Sequence, residues 1–434
     1  MELISIKIFP IVGDQVYPFG GPMTQELTQQ EISITSGEVC PVAHITWSGS
    51  ARPALAGHAM FDQLRAAAPI LKVPYGANGF FLVTEHEAAL QVTQDAKTFP
   101  QPSVSMETGD PTKFILIPQL LNGADHMAWR RLLAPYFSPG RVEGWEEGVR
   151  ARAVSLIEGL VEKGSCDFVK DFALRYPTAI FLQIFGLPLD QLDDFLTWES
   201  AILHPEGPDP IENRKHAVAA QTAVTQYFAQ MISDRRAMDP KDRPAGIATD
   251  ALNWEIADRP VSDDELTRFY LLMFMAGLDT VTSELSYGFL HLATHPEHRQ
   301  QLADNLELAP KVTEELLRAY PIVNPGRQAA VDTEIAGCPI HVGDYVVVSL
   351  PSAGRDEAQH PNALEIDFNR PMSSHITFGA GPHRCLGSHL AREELNIAYE
   401  EWHRRIPNYW IDETPTEATA GMMALNSLQL RWMK

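Results

Sequence analysis

HITFGAGPHRCLGSHLAREELNIAYEEWHRR, residues 375–405, decides how the rest of the chain is read. Glycines at 379, 381 and 387 surround Cys385, and an amphipathic helical pattern begins directly after them. Glycine permits a tight turn at positive φ and a close backbone approach to a flat object. The cysteine then sits at a helix N-terminus, where unpaired N–H groups stabilise anionic sulfur. A buried structural cysteine in a glycine turn is the plainer alternative.

Three other segments carry residues that packing alone does not explain. EELLRAYP (314–321) sets Glu315 and Arg318 three apart on one helix face, which by itself is an ordinary ion pair. MAGLDTVTS (275–283) lies inside the longest helical pattern, residues 262–296, which opens on a capping box of Ser262 and Glu265 and stops at His295-Pro296. Gly277 there costs about 1 kcal/mol of helix stability and a buried Asp279 costs more, so the local conflict points to function. In DHMAWRRLLAPYF (125–137), His126 and Arg130 are four apart and can meet one anion together, although a solvated basic helix would look the same.

The chain of 434 residues is 45% apolar and 21% charged, enough for a large core. Its 34 Lys+Arg against 56 Asp+Glu give a net charge of −22, which argues against a broad nucleic-acid or anionic-membrane surface. No stretch approaches the roughly 20 apolar residues of a membrane span, and the first residues lack the basic start of an export signal, so a cytoplasmic protein without an anchor is expected. Cys40, Cys166, Cys338 and Cys385 are too scattered for a disulfide framework and none has CxxC spacing, so any cysteine chemistry is expected to come from one of them acting alone.

Residues 1–50 show little periodicity and read as an irregular lead-in to one domain, 51–434. ILKVPYGANGFFLVT (70–84) reads as a hairpin, 100–114 as a long loop, and the chain from 123 to about 320 as mainly helical. Small antiparallel pairings are expected in 328–350 and again near the C-terminus. The fold class is mainly α with small β-sheets.

The order Phe378, Gly381, Cys385, Gly387 resembles the cysteine loop of the cytochrome P450 family, and the other segments fit at their spacing. The likeness runs from about residue 70 to the end. It is nearest to the bacterial class that includes camphor 5-monooxygenase, through AGLDTV (276–281), HPEHRQ (295–300) and FGAGPHRCLG (378–387). The resemblance implies a triangular, helix-rich fold and heme b (iron protoporphyrin IX), with Cys385 as axial ligand of the iron. His126, Arg130, Arg327 and His383 match its propionate contacts. Glu315 and Arg318 match a buried network that holds the loop. Asp279 and Thr280 match the acid-alcohol pair that relays protons toward dioxygen, on a helix whose ladder opens near the threonine.

The implied activity is a monooxygenase fed by a small ferredoxin, of the 2Fe-2S kind, and its NAD(P)H-dependent reductase, since the chain has neither room for a flavin domain nor an iron–sulfur cysteine cluster. A monomer is expected, with the ferredoxin docking near Arg130, Arg131 and Arg384. Where the camphor enzyme holds its ketone with a tyrosine, this chain has Phe114. Leu116, Leu272, Met275, Ala276, Val323, Met422 and Met423 complete an apolar pocket, suited to a compact terpenoid or aromatic compound. Steroids and fatty acids are the alternative substrates. A peroxide-driven enzyme, a non-catalytic haem or ligand carrier and a hydrolase using Cys385 as nucleophile are alternative functions.

Overall fold

A computed structural model describes residues 4–7, 29–37, 40–48, 52–75, 79–102, 115–204, 210–371, 374–418 and 422–434. Its axis is the helix Asp263–Thr294, here the central helix. Ser262 accepts from the Glu265 N–H while Glu265 accepts from the Ser262 N–H at 2.9 Å, and Arg259 clamps the same carboxylate. Leu266, Phe269, Tyr270, Phe274, Leu285 and Phe289 are buried along it, and it ends where Pro296 removes an N–H donor. Mainly α structure with small sheets, as read from the sequence, is what is found.

The proximal helix, Ser388–Arg405, lies against Glu146–Val161, where Arg150 bridges Glu400 and Glu401 at 2.7 and 2.6 Å. Trp402 sits edge-on to Phe168, Phe172 and Phe289, and these buried rings join the proximal helix to the central one. Beside the helices runs a mixed sheet in which the hairpin Ile70–Val73 and Phe80–Val83 pairs in parallel with Tyr345–Val348, which carries Gly326–Gln328 at the edge. A second sheet joins Tyr409–Ile411, Gln429–Trp432 and Ser165–Asp167.

Two expectations fail. The stretch before residue 50 is not irregular throughout: Gln29–Thr35 and Val42–Ser48 form an antiparallel pair that extends the first sheet, with Ile4–Lys7 at its edge. The ladder supplies the order that a weak apolar alternation did not advertise, with Ile32 and Ala43 buried. Nor do all four cysteines act alone. Cys40 and Cys338 form a disulfide across 298 residues, tying the strand pair to the hairpin Thr333–Ile335 and Cys338–Ile340. Cys166 and Cys385 are free. The loop expected at 100–114 lies outside the described residues from 103 onward, as does Pro208.

Candidate functional site

The cysteine loop is closed by its own backbone. Gly379 N–H donates to Ile376 O at 2.7 Å, Cys385 N–H to Phe378 O at 2.8 Å, and Arg384 N–H to Gly381 O at 3.1 Å. Gly379 and Gly381 take φ of +71° and +69°. A Cβ on Gly381 would also run into the backbone of Thr93 and Gln94, so both reasons for glycine hold there. Gly387 corrects the third expectation. Its φ is −80°, open to any residue, and a Cβ would find nothing within 4 Å, so its smallness leaves space beside the loop. Phe378 is half-buried under the Arg392 guanidinium, 4.5 Å from its ring centre. Cys385 presents an open face in an otherwise enclosed setting. Burial pushes its thiol above the ordinary range, opposed by the Gly387 N–H and by Arg130, Arg384 and Arg392.

Glu315 and Arg318, on the helix Ala309–Ala319, make a buried fork at 2.8 Å on both oxygens. Glu315 also accepts from Arg370 and from the Asp367 N–H, each at 3.0 Å. Arg318 donates onward to the carbonyls of Gly354, Ala363 and Glu365. Every oxygen in this network comes from the segment 354–367 or from its own helix, so it fixes the chain leading into the cysteine loop. A link to the loop itself comes from Thr377, whose hydroxyl donates to Leu317 O at 2.8 Å.

Two histidines and two arginines from three elements converge near the loop. His126, on the helix Gly123–Leu133, stacks on His383 with ring centres 3.9 Å apart. Burial, then the neighbouring cations, hold the two rings neutral, with pKa values near 4 for His126 and 3 for His383. Arg130 donates to Arg384 O at 2.8 Å. Arg327 is 4% exposed, its Nε has no partner, and burial draws its pKa down to about 10. Among the described residues neither arginine is paired to a carboxylate.

On the central helix, Asp279 is buried and Thr280 half-exposed. The ladder does not open there: the helix is continuous from Asp263 to Thr294, and the Thr280 hydroxyl donates to Ala276 O at 3.0 Å. That back-bond satisfies the hydroxyl within a regular turn, which removes the need for a distortion. Ala276 and Gly277 are exposed although Phe274 and Leu278 beside them are buried, so a cleft reaches the middle of the core helix. Asp279 has a partner that no motif announced: His204 Nε2 lies 3.1 Å from its Oδ1. Glu199, five residues earlier, is buried with both oxygens unpartnered. His204 and Asp279 are 75 positions apart, and no periodicity reports such a pair.

Leu116, Met275, Val323 and Met422 are half-buried at the edge of the main core, and Leu272 is buried. Met423 is likewise buried, 3% exposed and packed against Gly57. Phe114 lies outside the described residues.

A family model, cytochrome P450, matches residues 54–401. The chain belongs to the cytochrome P450 family. A probable cytochrome P450 127A1 of Sinorhizobium fredii is 33% identical over 82% of this chain and 84% of that protein. A mycinamicin IV hydroxylase/epoxidase of Micromonospora griseorubida is 30% identical over 85% of this chain and 94% of its own. Among solved structures, CYP101J2 superposes with a TM-score of 0.77 at 27% identity, covering 88% of this chain and 95% of that one. CYP108D1 from Novosphingobium aromaticivorans gives 0.77 at 26%, covering 87% and 94%. This P450 is a monooxygenase, and the cofactor of its family and fold is heme b. The residues here fit that group. A dianionic, flat macrocycle with a metal at its centre calls for cations without carboxylates, an unpaired buried N–H, small residues on one wall and a thiol among positive charges. The Arg130, Arg327, His126 and His383 cluster, Arg327 Nε, Ala276 with Gly277, and Cys385 provide these in turn.

Proposed function

We propose that Cys385 is the thiolate that would ligate the haem iron of this P450, that His126, Arg130, Arg327 and His383 would hold the haem propionates, and that the enzyme hydroxylates a compact apolar substrate. The observation that carries the reading is Arg327, a buried guanidinium with an unpartnered Nε beside the neutral rings of His126 and His383. A charge so placed calls for an anion. When bound, the haem supplies reductive activation of dioxygen, one atom of which enters the substrate. The chain's own work is positioning and proton supply. Thr280 donates back to Ala276, which leaves its lone pairs able to accept a hydrogen bond in the cleft, and Asp279 beside it is the carboxyl that passes protons toward that hydroxyl. Glu315 and Arg318 keep the loop from shifting.

Electrons come from a 2Fe-2S ferredoxin and its reductase. Arg131 is exposed beside Arg130 and Arg384, and the basic patch suits an acidic partner. The protein acts as a monomer in the cytoplasm, where the Cys40–Cys338 bond is open to reduction.

Leu116, Leu272, Met275, Ala276, Val323 and Met422 favour a terpenoid or aromatic substrate. The test is an optical titration of the ferric holoprotein with terpenoids, simple aromatics, steroids and fatty acids. A saturable low- to high-spin shift is expected with one of the first two classes. A shift with steroids or fatty acids alone would move the assignment to them, and none at all would remove the pocket.

A further inference from the structure

The acid-alcohol pair needs a supply of protons, and Asp279 is only 5% exposed on its side chain. The helix Leu192–Leu203 ends on His204, whose backbone leaves the helix with φ −130° and whose ring is 38% exposed. One side of that ring meets Asp279 Oδ1 at 3.1 Å. The same residue lines a solvent-open cleft of about 570 Å³, with Asp193, Thr197, Ser200 and His216 among others.

We propose that His204 is the proton relay between this cleft and Asp279, which rests on Asp279 and Thr280 being the acid-alcohol pair. In the step, the Nε2–H bond of the imidazolium breaks as an O–H bond forms on Asp279. Asp279 returns to carboxylate when it passes that proton inward. The half-exposed ring turns into the cleft, takes a proton from water on the same nitrogen, and the cycle closes without any change in oxidation state. His204 is thus a positioning and supply residue that acts through Asp279.

The surrounding charges favour this assignment of protons. Glu199, from the same helix as His204, faces Asp279, and burial, then the Asp279 charge, raise its pKa well above the carboxylate range. With Glu199 neutral, Asp279 is the carboxyl left to accept from His204. The hydrogen bond to Asp279 raises the His204 pKa, against partial burial. Asp193 on its own helix and His216 on Pro210–Ala237 border the cleft side. The imidazolium therefore persists above the ordinary histidine pKa, and supply falls as pH rises through the raised value.

The test has two arms. In the first, histidine-labelled protein is titrated by NMR, with His204 assigned through His204→Gln. Its pKa is expected to lie above the ordinary value and to drop in Asp279→Asn. An unchanged pKa overturns the relay. The second follows NADH-driven dioxygen consumption by the holoenzyme, with no added substrate and with excess bacterial 2Fe-2S ferredoxin and reductase. Wild type should lose rate on the alkaline side. His204→Gln, which keeps an N–H donor but cannot titrate, should be slower by at least about ten-fold, below the ~100-fold of a direct donor, and lose that alkaline limb. A wild-type rate and pH profile in His204→Gln overturns the proposal even where the carbon monoxide difference spectrum shows a thiolate-ligated haem. A spectrum without the thiolate signature instead strikes at Cys385. If Asp279→Asn keeps the wild-type rate, the pair falls and the relay with it.

Discussion

Arg327 shows why a single residue can be informative about an absent partner. A guanidinium 4% exposed costs free energy unless an anion answers it, and its own strand supplies only the Gly326 carbonyl at 2.7 Å. Replacing it with leucine therefore should not weaken the haem-free protein. Binding of haem is another matter, because a charge-assisted hydrogen bond is worth about 1.5–3 kcal/mol. Arg327→Leu is expected to lower haem affinity by roughly ten-fold or more, while affinity for haem dimethyl ester, whose propionates are blocked, stays near that of wild type. Equal losses for both ligands, measured by titrating the apoprotein, would remove Arg327 from the propionate site. At this scale the sequence marked Cys385 through its glycines, and Arg327 only by its likeness to a family. It was silent on His204, because a contact between a helix end and a position 75 residues on leaves no local trace.

The central helix carries two glycines whose roles differ by what faces them. Gly288 lies against the proximal helix, and a Cβ there would overlap the Tyr399 hydroxyl. Gly277 faces the cleft, and its Cβ would meet only Phe181 at an ordinary 3.8 Å. Gly288→Ala should push the two helices apart and cost about 1–3 kcal/mol in urea unfolding. Gly277→Ala should stabilise the apoprotein by up to about 1 kcal/mol through helix propensity, yet impair haem or substrate binding by crowding the wall. The pair of variants would count against this account if both changed stability in the same direction. The helix itself was legible, from capping box to terminal proline. Its regularity at Thr280 was not, since a sequence does not tell whether a threonine bonds back to its own ladder or opens it.

Across the whole molecule, the helical core was readable because its apolar period is strong, whereas the strand pair 29–48 and the Cys40–Cys338 link were not. The strand pair is a local hairpin with only a weak apolar alternation, and a disulfide across 298 residues is invisible in composition or spacing. The core also buries histidines outside the propionate cluster, and these set the acid response of the fold. His403 donates from Nδ1 to Tyr399 O at 2.7 Å and lies 3.1 Å from the Tyr409 hydroxyl at Nε2, so the neutral ring is fully satisfied. Burial lowers its pKa to about 4, and burial followed by Arg355 lowers that of His58 to about 3. Unfolded histidine titrates near 6.5. Below that value the unfolded chain binds protons that the folded chain refuses, so the stability is fully present above pH ~6.5 and is lost as pH falls through the folded values. His403 alone accounts for about 3 kcal/mol between pH 7 and 4. Urea unfolding of the holoprotein should show His403→Gln well below wild type at pH 7, with the gap narrowing steadily toward pH 4. A gap that stays constant over that range would mean that His403 contributes by packing alone and that the acid sensitivity lies elsewhere.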